Sequence, residues 1–241
     1  MYQSSDQFYT GKQYLENNPG WHEEGAAFKA ELALDLIRRF SIPAGSVVEV
    51  GCGSGEILVE LAKQLPESKL TGYDIAPAAI EIAKKKAGTN LSFHLEDFMD
   101  LETPVSDLLL VIDVVEHVDD VYGFLRKVRG KARNFIFHIP LDMSCRTLLK
   151  PHTLLQQRTS VGHIHYFTEE TALWMLKDVG YEVRYHIYTK PDVDIKKPAS
   201  LRQWLKKQLR KISFSLNRKL SVKLWGNYSL LIWATPVHKQ S

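Results

Sequence analysis

At 241 residues, with 44% hydrophobic and 24% charged positions, the chain is too apolar for a disordered or collagen-like class, and at about 150 residues per domain it points to one large α/β domain with additions. The net charge of +3 conceals a division: residues 1–194 carry twenty cations against twenty-eight acids, a net of −8, while residues 195–241 carry eleven cations and no acid, which directs the tail to an anionic partner or to the chain's own acidic body. Two cysteines, Cys52 and Cys145, exclude a disulfide framework, and the absence of a leader pattern in MYQSSDQFYT and of any apolar run near 18 residues sets the expectation of a cytoplasmic protein, with peripheral membrane attachment through the tail left open.

Ahead of the first strand, residues 25–40 read as one amphipathic helix through Phe28, Leu32, Leu36 and Phe40. From Ser46 onward β-rich runs alternate with amphipathic stretches: VVEV (47–50), GEILVELAKQL (55–65), KLTGYD (69–74), PAAIEIAKKKA (77–87), LSFHL (91–95), DLLLVIDVV (107–115), a helix near Val121 to Val128, and NFIFHI (134–139). Strands apolar on both faces suit a sheet covered by helices on both sides. After Pro140 no strand pattern is found until about Val161, and a cap is expected there. Thr168 reads as an N-cap, with Glu169 and Glu170 in the first turn of a helix that runs to Val179 and stops at Gly180. Strand YEVRYHIYT (181–189), a basic helical stretch over about 199–220 and the run YSLLIWAT (228–235) complete about seven strands. The chain thus divides into an N-terminal lid and helix (1–45) and a main domain (46–241), with a cap at about 140–165 and a basic helical insertion at about 196–223.

The strongest chemical signal is EVGCGSGE, Glu49 to Glu56, between a strand and a helix. Glycines at spacing two let the backbone approach a ligand closely. A dinucleotide fingerprint, G-x-G-x-x-G, would occupy the same place, but Gly55 comes one position too early for it. Glu49, two residues before Gly51, would repel a pyrophosphate and welcome an ammonium group. Asp74 ends the next strand, where a carboxylate accepts both ribose hydroxyls of an adenosine, which suits NAD and S-adenosylmethionine equally. Glu96-Asp97-Phe98 follows the third strand, where an acid can accept from an adenine amine while a ring packs on the base. All three lie at carboxyl ends of strands, where ligands of open α/β sheets collect.

Together with D-V-V-E-H-V, these segments resemble class I S-adenosylmethionine-dependent methyltransferases, over about residues 25–190, and in particular the ubiquinone-pathway O-methyltransferase-like branch. The resemblance implies a three-layer, Rossmann-like α/β fold: a seven-stranded, mostly parallel sheet with its last strand antiparallel and helices on both faces. It implies that Gly51, Cys52, Gly53 and Gly55 hold the methionine part of the cofactor, Asp74 with Ile75 the ribose, and Asp97 with Phe98 the adenine. Asp113-Val-Val-Glu116-His117 resembles E-V-V-E-H-V of the ubiquinone-pathway enzymes and an E-x-x-E-H segment of small-RNA 2′-O-methyltransferases, both of which use such residues for a metal. If the chain turns helical at Asp113, Glu116 and His117 join it on one face and can ligate Mg2+ or Mn2+. In the competing reading Ile112 and Asp113 line the cofactor pocket and Glu116 and His117 begin a helix.

His163 and His165 alternate in GHIHYF, would face one way in an extended segment, and can complete a metal site or act as a base; the bland reading is that they hydrogen-bond within a loop. Trp21-His22 can belong to a lid or dock on the core. A hydroxyl acceptor needs its proton taken, and His117, His165, His163 and His22 are the available imidazoles. Along 199–220, Leu201, Trp204, Leu205, Leu209, Ile212 and Leu216 form one stripe, with Lys206, Lys207, Arg210 and Lys211 on the other faces. Such a helix can lie on an anionic membrane or, less favoured, grip RNA; alternatively its stripe packs on the domain. The expectation is methylation of an oxygen or nitrogen on a small, lipid-like or glycosylated acceptor. A nicotinamide-dependent oxidoreductase and a non-catalytic methyltransferase-like binding protein are the alternatives.

Overall fold

A computed structural model describes residues 25–150, 152–189, 198 and 200–237. In chain order the elements are α1 (Ala26–Phe40), β1 (Ser46–Val50), α2 (Glu56–Gln64), β2 (Lys69–Asp74), α3 (Pro77–Lys84), β3 (Leu91–Leu95), β4 (Ser106–Ile112), α4 (Val121–Arg129), β5 (Ala132–Leu141), α5 (Cys145–Leu148), α6 (His152–Ser160), α7 (Glu169–Asp178), β6 (Tyr181–Thr189), α8 (Leu201–Leu216), α9 (Arg218–Trp225) and β7 (Tyr228–Pro236). The strands form one sheet in the order β3-β2-β1-β4-β5-β7-β6. β7 runs antiparallel to both its neighbours, and the pairs from β3 through β5 are parallel. The expected seven-stranded, mostly parallel sheet with an antiparallel last strand is therefore present.

β4 shows why the sheet needs two helical layers. Leu108, Leu110 and Ile112 enter one core with α1, α2 and α3, whereas Leu109 and Val111 enter the other with α4, α7 and α9. A strand buried on both faces reads as a continuous apolar run because successive side chains point to opposite sides. α1 contributes Ala30, Ala33, Leu34, Leu36 and Ile37 to the first core, so it packs with the main body. The order reverses between β1 and β4, the place where the crevice above an open sheet receives ligands.

Thr168 caps α7 by accepting from the Thr171 N–H, and Gly180 beyond it has φ +86. The basic stretch is two helices instead of one. Asn217 ends α8 with extended backbone, and its side chain accepts from the Leu220 N–H to start α9. The reading in which its stripe packs on the domain is reversed: Leu201, Leu205, Leu209, Ile212 and Leu216 are exposed, and Arg210 is buried.

Candidate active site

The glycine loop is fastened from below by β2. The N–H groups of Gly51 and Cys52 both donate to the Tyr73 carbonyl, at 2.8 and 3.1 Å. Gly53 donates to Asp74 Oδ2 at 2.8 Å, and Asp74 Oδ1 accepts from the Ala76 N–H at 2.8 Å. Burial raises the Asp74 pKa, and these N–H groups pull part of the shift back. Gly53 and Gly55 both have left-handed φ, +53 and +82. Their surroundings differ: a Cβ at Gly55 would meet the Phe93 ring at 2.5 Å, and one at Gly53 would meet nothing within 4 Å. Gly55 is glycine for packing and Gly53 faces open space. Cys52 is buried with its sulfur toward Gly72, and burial pushes its thiol pKa far up, so the group stays protonated.

Glu49 is 1% exposed, and its Oε2 has no hydrogen-bond partner among the described residues. Burial drives its pKa well above the carboxylate range; Lys29 opposes this and the Asp74 charge adds to it. A buried carboxyl left half-satisfied calls for a partner, and the ammonium group of a methionine moiety has the right charge. Asp97 is exposed, with Oδ1 accepting from the Met99 N–H at 2.9 Å. Phe98 corrects the expectation of a ring on the adenine. Its side chain is 2% exposed and lies in the core against Tyr73, ring centroids 4.9 Å apart, so toward the crevice it has only backbone to offer. Ile75 is half-buried and Ile112 is buried at the end of β4.

Asp113 does not start a helix. Its φ of +53 breaks the chain into turns, and its N–H donates to the His138 carbonyl at 2.9 Å. The carboxylate is held on both sides, by Lys29 Nζ at 2.6 Å and His138 Nδ1 at 2.6 Å, and His138 Nε2 lies 2.9 Å from Thr189 Oγ1. Burial alone would raise the Asp113 pKa, but Lys29 and His138 together hold it well below the usual range. The helical grouping of Asp113 with Glu116 and His117 is thereby corrected.

A different grouping forms. Ligand atoms of Glu116, His117 and His163 lie within 4.8 Å of one another. Glu116 is fully buried, and neither carboxylate oxygen has a hydrogen-bond partner among the described residues; Oε1 stands 3.7 Å from His117 Nε2. Burial, with the Asp113 charge second, raises its pKa well above the ordinary value. His117 Nδ1 is 3.2 Å from the Gly162 carbonyl, and His163 Nδ1 is 2.7 Å from Asp142 Oδ2. Imidazoles held at Nδ1 present Nε2 as the ligand or proton acceptor, the usual outer-shell arrangement of metal-binding histidines. Gln157 of α6 donates to Asp142 Oδ1 at 2.8 Å, which ties the cap to this cluster.

The cluster adjoins the glycine loop, because Val114 is the side chain a Cβ at Gly51 would strike. His163 and His165 part company: His165 Nε2 bonds the Val118 carbonyl at 2.8 Å and lines a separate cavity of about 300 Å³ with Asp119, Tyr122 and Thr171. Trp21 and His22 lie outside the described residues. Lys29, His138 and Asp142 were missed by the sequence reading. His138 and Asp142 stand at the carboxyl end of β5, where the strand-end rule could have found them; Lys29 sits on a helix with no motif around it.

A family model described as "Methyltransferase domain" matches residues 24–186. Among curated proteins, the chain is 37% identical over 82 residues to EEF1A lysine methyltransferase 2 of Homo sapiens, covering 32% of this chain and 34% of that protein. It is 33% identical over 85 residues to the ubiquinone biosynthesis O-methyltransferase of Methylocella silvestris, covering 33% and 32%. The chain thus spans about a third of the length of these relatives. Among solved structures, a chain of the complex between the Haloferax volcanii Trm112 methyltransferase activator and a methyltransferase aligns with TM-score 0.68 at 18% identity, over 99% of this chain and all of that one. At that identity the likeness concerns the fold.

Proposed function

This chain belongs to the methyltransferase-domain family of class I S-adenosylmethionine-dependent enzymes, and from that premise we propose that it transfers a methyl group to an oxygen, or a nitrogen, of a small lipid-like or glycosylated acceptor. Glu49 and the loop Gly51, Cys52, Gly53 and Gly55 would hold the methionine part of S-adenosylmethionine, Asp74 and Ile75 the ribose, Asp97 and the Phe98 backbone the adenine, with Ile112 and Asp113 along the wall. The donor set fits: an unsatisfied buried carboxyl, open space at Gly53, and an acid at the ribose position already oriented by two N–H groups. The cofactor supplies a methyl on a sulfonium, which is electrophilic enough to need little activation, so orientation supplies most of the rate.

The acceptor's proton remains to be dealt with, and the observation that carries this part is Glu116, a buried carboxyl with both oxygens unsatisfied beside His117 and His163. These three residues would hold a divalent ion in place of the expected Asp113, Glu116 and His117 set. Two imidazoles and a carboxylate favour Mn2+ over Mg2+, and such an ion would acidify an acceptor hydroxyl. Without an ion, His117 is the base, with Nδ1 fixed by Gly162. His165 has one nitrogen committed to Val118, which limits it to positioning the acceptor. Exposed Leu148, Leu149 and Leu155 of the cap support an apolar acceptor. The test is titration with Mn2+ followed by labelled methyl transfer into a lipid and metabolite extract. Binding lost in Glu116→Gln, with turnover abolished by EDTA and restored by Mn2+, is expected. Indifference of both to Glu116 and EDTA would leave the imidazole base alone.

A further inference from the structure

We propose that α8 is a peripheral docking element for an anionic phospholipid surface. α8 leaves its leucines in water. The face that packs carries Arg210, Ser213 and Phe214: Arg210 is buried, reaches the Gly226 carbonyl at 2.9 Å and lies over the Tyr228 ring at 4.9 Å, and Ser213 accepts from Trp225 Nε1 at 3.0 Å. Phe214 stacks on Tyr228 with ring centroids 5.2 Å apart. The opposite face presents Leu201, Leu205, Leu209, Ile212 and Leu216 to solvent, each between 49% and 82% exposed, with Trp204 at the margin. At 1.5 Å per residue this is an apolar ridge about 24 Å long. Water does not favour such a ridge, and a monomer that keeps one exposes an interaction site.

Charge decides the occupant. At 100° per residue, Arg202 and Lys206 flank the ridge on one side, and Lys211 flanks it on the other. Arg202, Lys206 and Lys211 form no ion pair with the described residues. By contrast α9 spends its cations on the body: Lys223 pairs with Glu170 at 2.7 Å, and Lys219 with Glu170 at 3.2 Å. Glu169 and Glu170 are therefore engaged by α9, and on α8 Arg202, Lys206 and Lys211 stand around an apolar centre. A convex helix with leucines between two basic margins matches headgroups at its edges and acyl chains at its middle. RNA would use the cations and leave the leucines in water. No helix among the described residues is long and apolar enough to cross a membrane, so the contact is interfacial.

The test is sedimentation of the full chain with vesicles of phosphatidylcholine alone or with roughly one third phosphatidylglycerol. Binding to the anionic vesicles only, weakened by salt, is expected. The triple variant Leu205→Glu, Leu209→Glu, Ile212→Glu abolishes it. The triple variant Arg202→Gln, Lys206→Gln, Lys211→Gln weakens it by about fivefold per cation, on the order of 100-fold in all. All six side chains are exposed, so the thermal midpoint and S-adenosylhomocysteine binding stay at the parent values in both variants, which separates this claim from the assignment of the cofactor site. The proposal is overturned if the parent ignores anionic vesicles, if the leucine variant binds as the parent does, or if the parent is a dimer in solution that the leucine variant turns into a monomer, since the ridge would then be covered by a second copy of the chain.

Discussion

Alanine at Gly53 and at Gly55 should separate ligand approach from packing within one loop. At Gly53 the φ of +53 costs an alanine about 1–2 kcal/mol. Nothing stands within 4 Å of the added Cβ, so no steric cost follows. For a chain of this size each kcal/mol moves the midpoint by about 2–4 °C, which gives a drop of about 2–8 °C for Gly53→Ala. At Gly55 the same conformational cost applies at φ +82, and the Cβ must also displace the Phe93 ring from 2.5 Å. Overpacking adds about 1–3 kcal/mol, so Gly55→Ala loses about 2–5 kcal/mol and about 4–20 °C. Cofactor affinity should rank the other way relative to stability. The methyl at Gly53 fills the space that the ligand's methionine part would use, and S-adenosylhomocysteine should bind at least about tenfold more weakly to a protein that is nearly as stable as the parent. Thermal melts followed by circular dichroism and calorimetric titration read both quantities. A Gly53→Ala protein that binds with parental affinity would show that no ligand approaches there.

Three further outcomes follow from the same site and its supports. Asp74→Ala removes a carboxylate that accepts from Gly53 and Ala76 and retains lone pairs for two hydroxyls. At about 1.5–3 kcal/mol per charged hydrogen bond, S-adenosylhomocysteine affinity should fall by about 100-fold or more in the same titration. Glu49 has a raised pKa in the free protein because it is buried, and a bound ammonium favours its ionised form. Cofactor binding should therefore release a proton and weaken as pH falls through that raised value; titration in two buffers of different ionisation enthalpy reads the release, and proton uptake would contradict the assignment. Glu170 is held at about 2 by Lys223, with Lys219 assisting. A depressed carboxyl stabilises the fold above its ordinary value of 4.5 and loses that contribution as pH falls from 4.5 toward 2. Because the group is 41% exposed, solvent screening keeps the effect below about 1 kcal/mol. The acid limb of a urea-midpoint profile should flatten in Glu170→Gln, and an unchanged limb would remove the pair from the account.

The strands were legible from their β-rich runs: β2, β3 and β6 begin and end where the pattern places them, and β4 and β5, buried on both faces, depart from it by one to three residues at their ends. The three acids Glu49, Asp74 and Asp97 stand at or just beyond the carboxyl ends of β1, β2 and β3, as the spacing placed them. What failed was local backbone direction. DVVEHV has helical spacing, yet Asp113 takes a left-handed conformation, and its carboxylate is held at Oδ2 by Lys29 and at Oδ1 by His138, 84 and 25 residues away in the chain. No window around Asp113 contains those two partners. The orientation of α8 was equally hidden. Amphipathic periodicity shows that a helix has two faces and does not say which one packs. Here Arg210 and Phe214 find Tyr228, and the leucines are left outside. The break at Asn217 was readable in principle, since asparagine is a strong N-cap and stands directly before the basic start of α9.

The most direct measurement is a crystal structure of the protein with S-adenosylhomocysteine. The ammonium group should lie on Glu49, the ribose hydroxyls on Asp74 and the adenine beside Asp97, with no shift of the Gly53 backbone. Density elsewhere on the molecule, or a Glu49 carboxyl still without a partner beside a bound ligand, would contradict that placement.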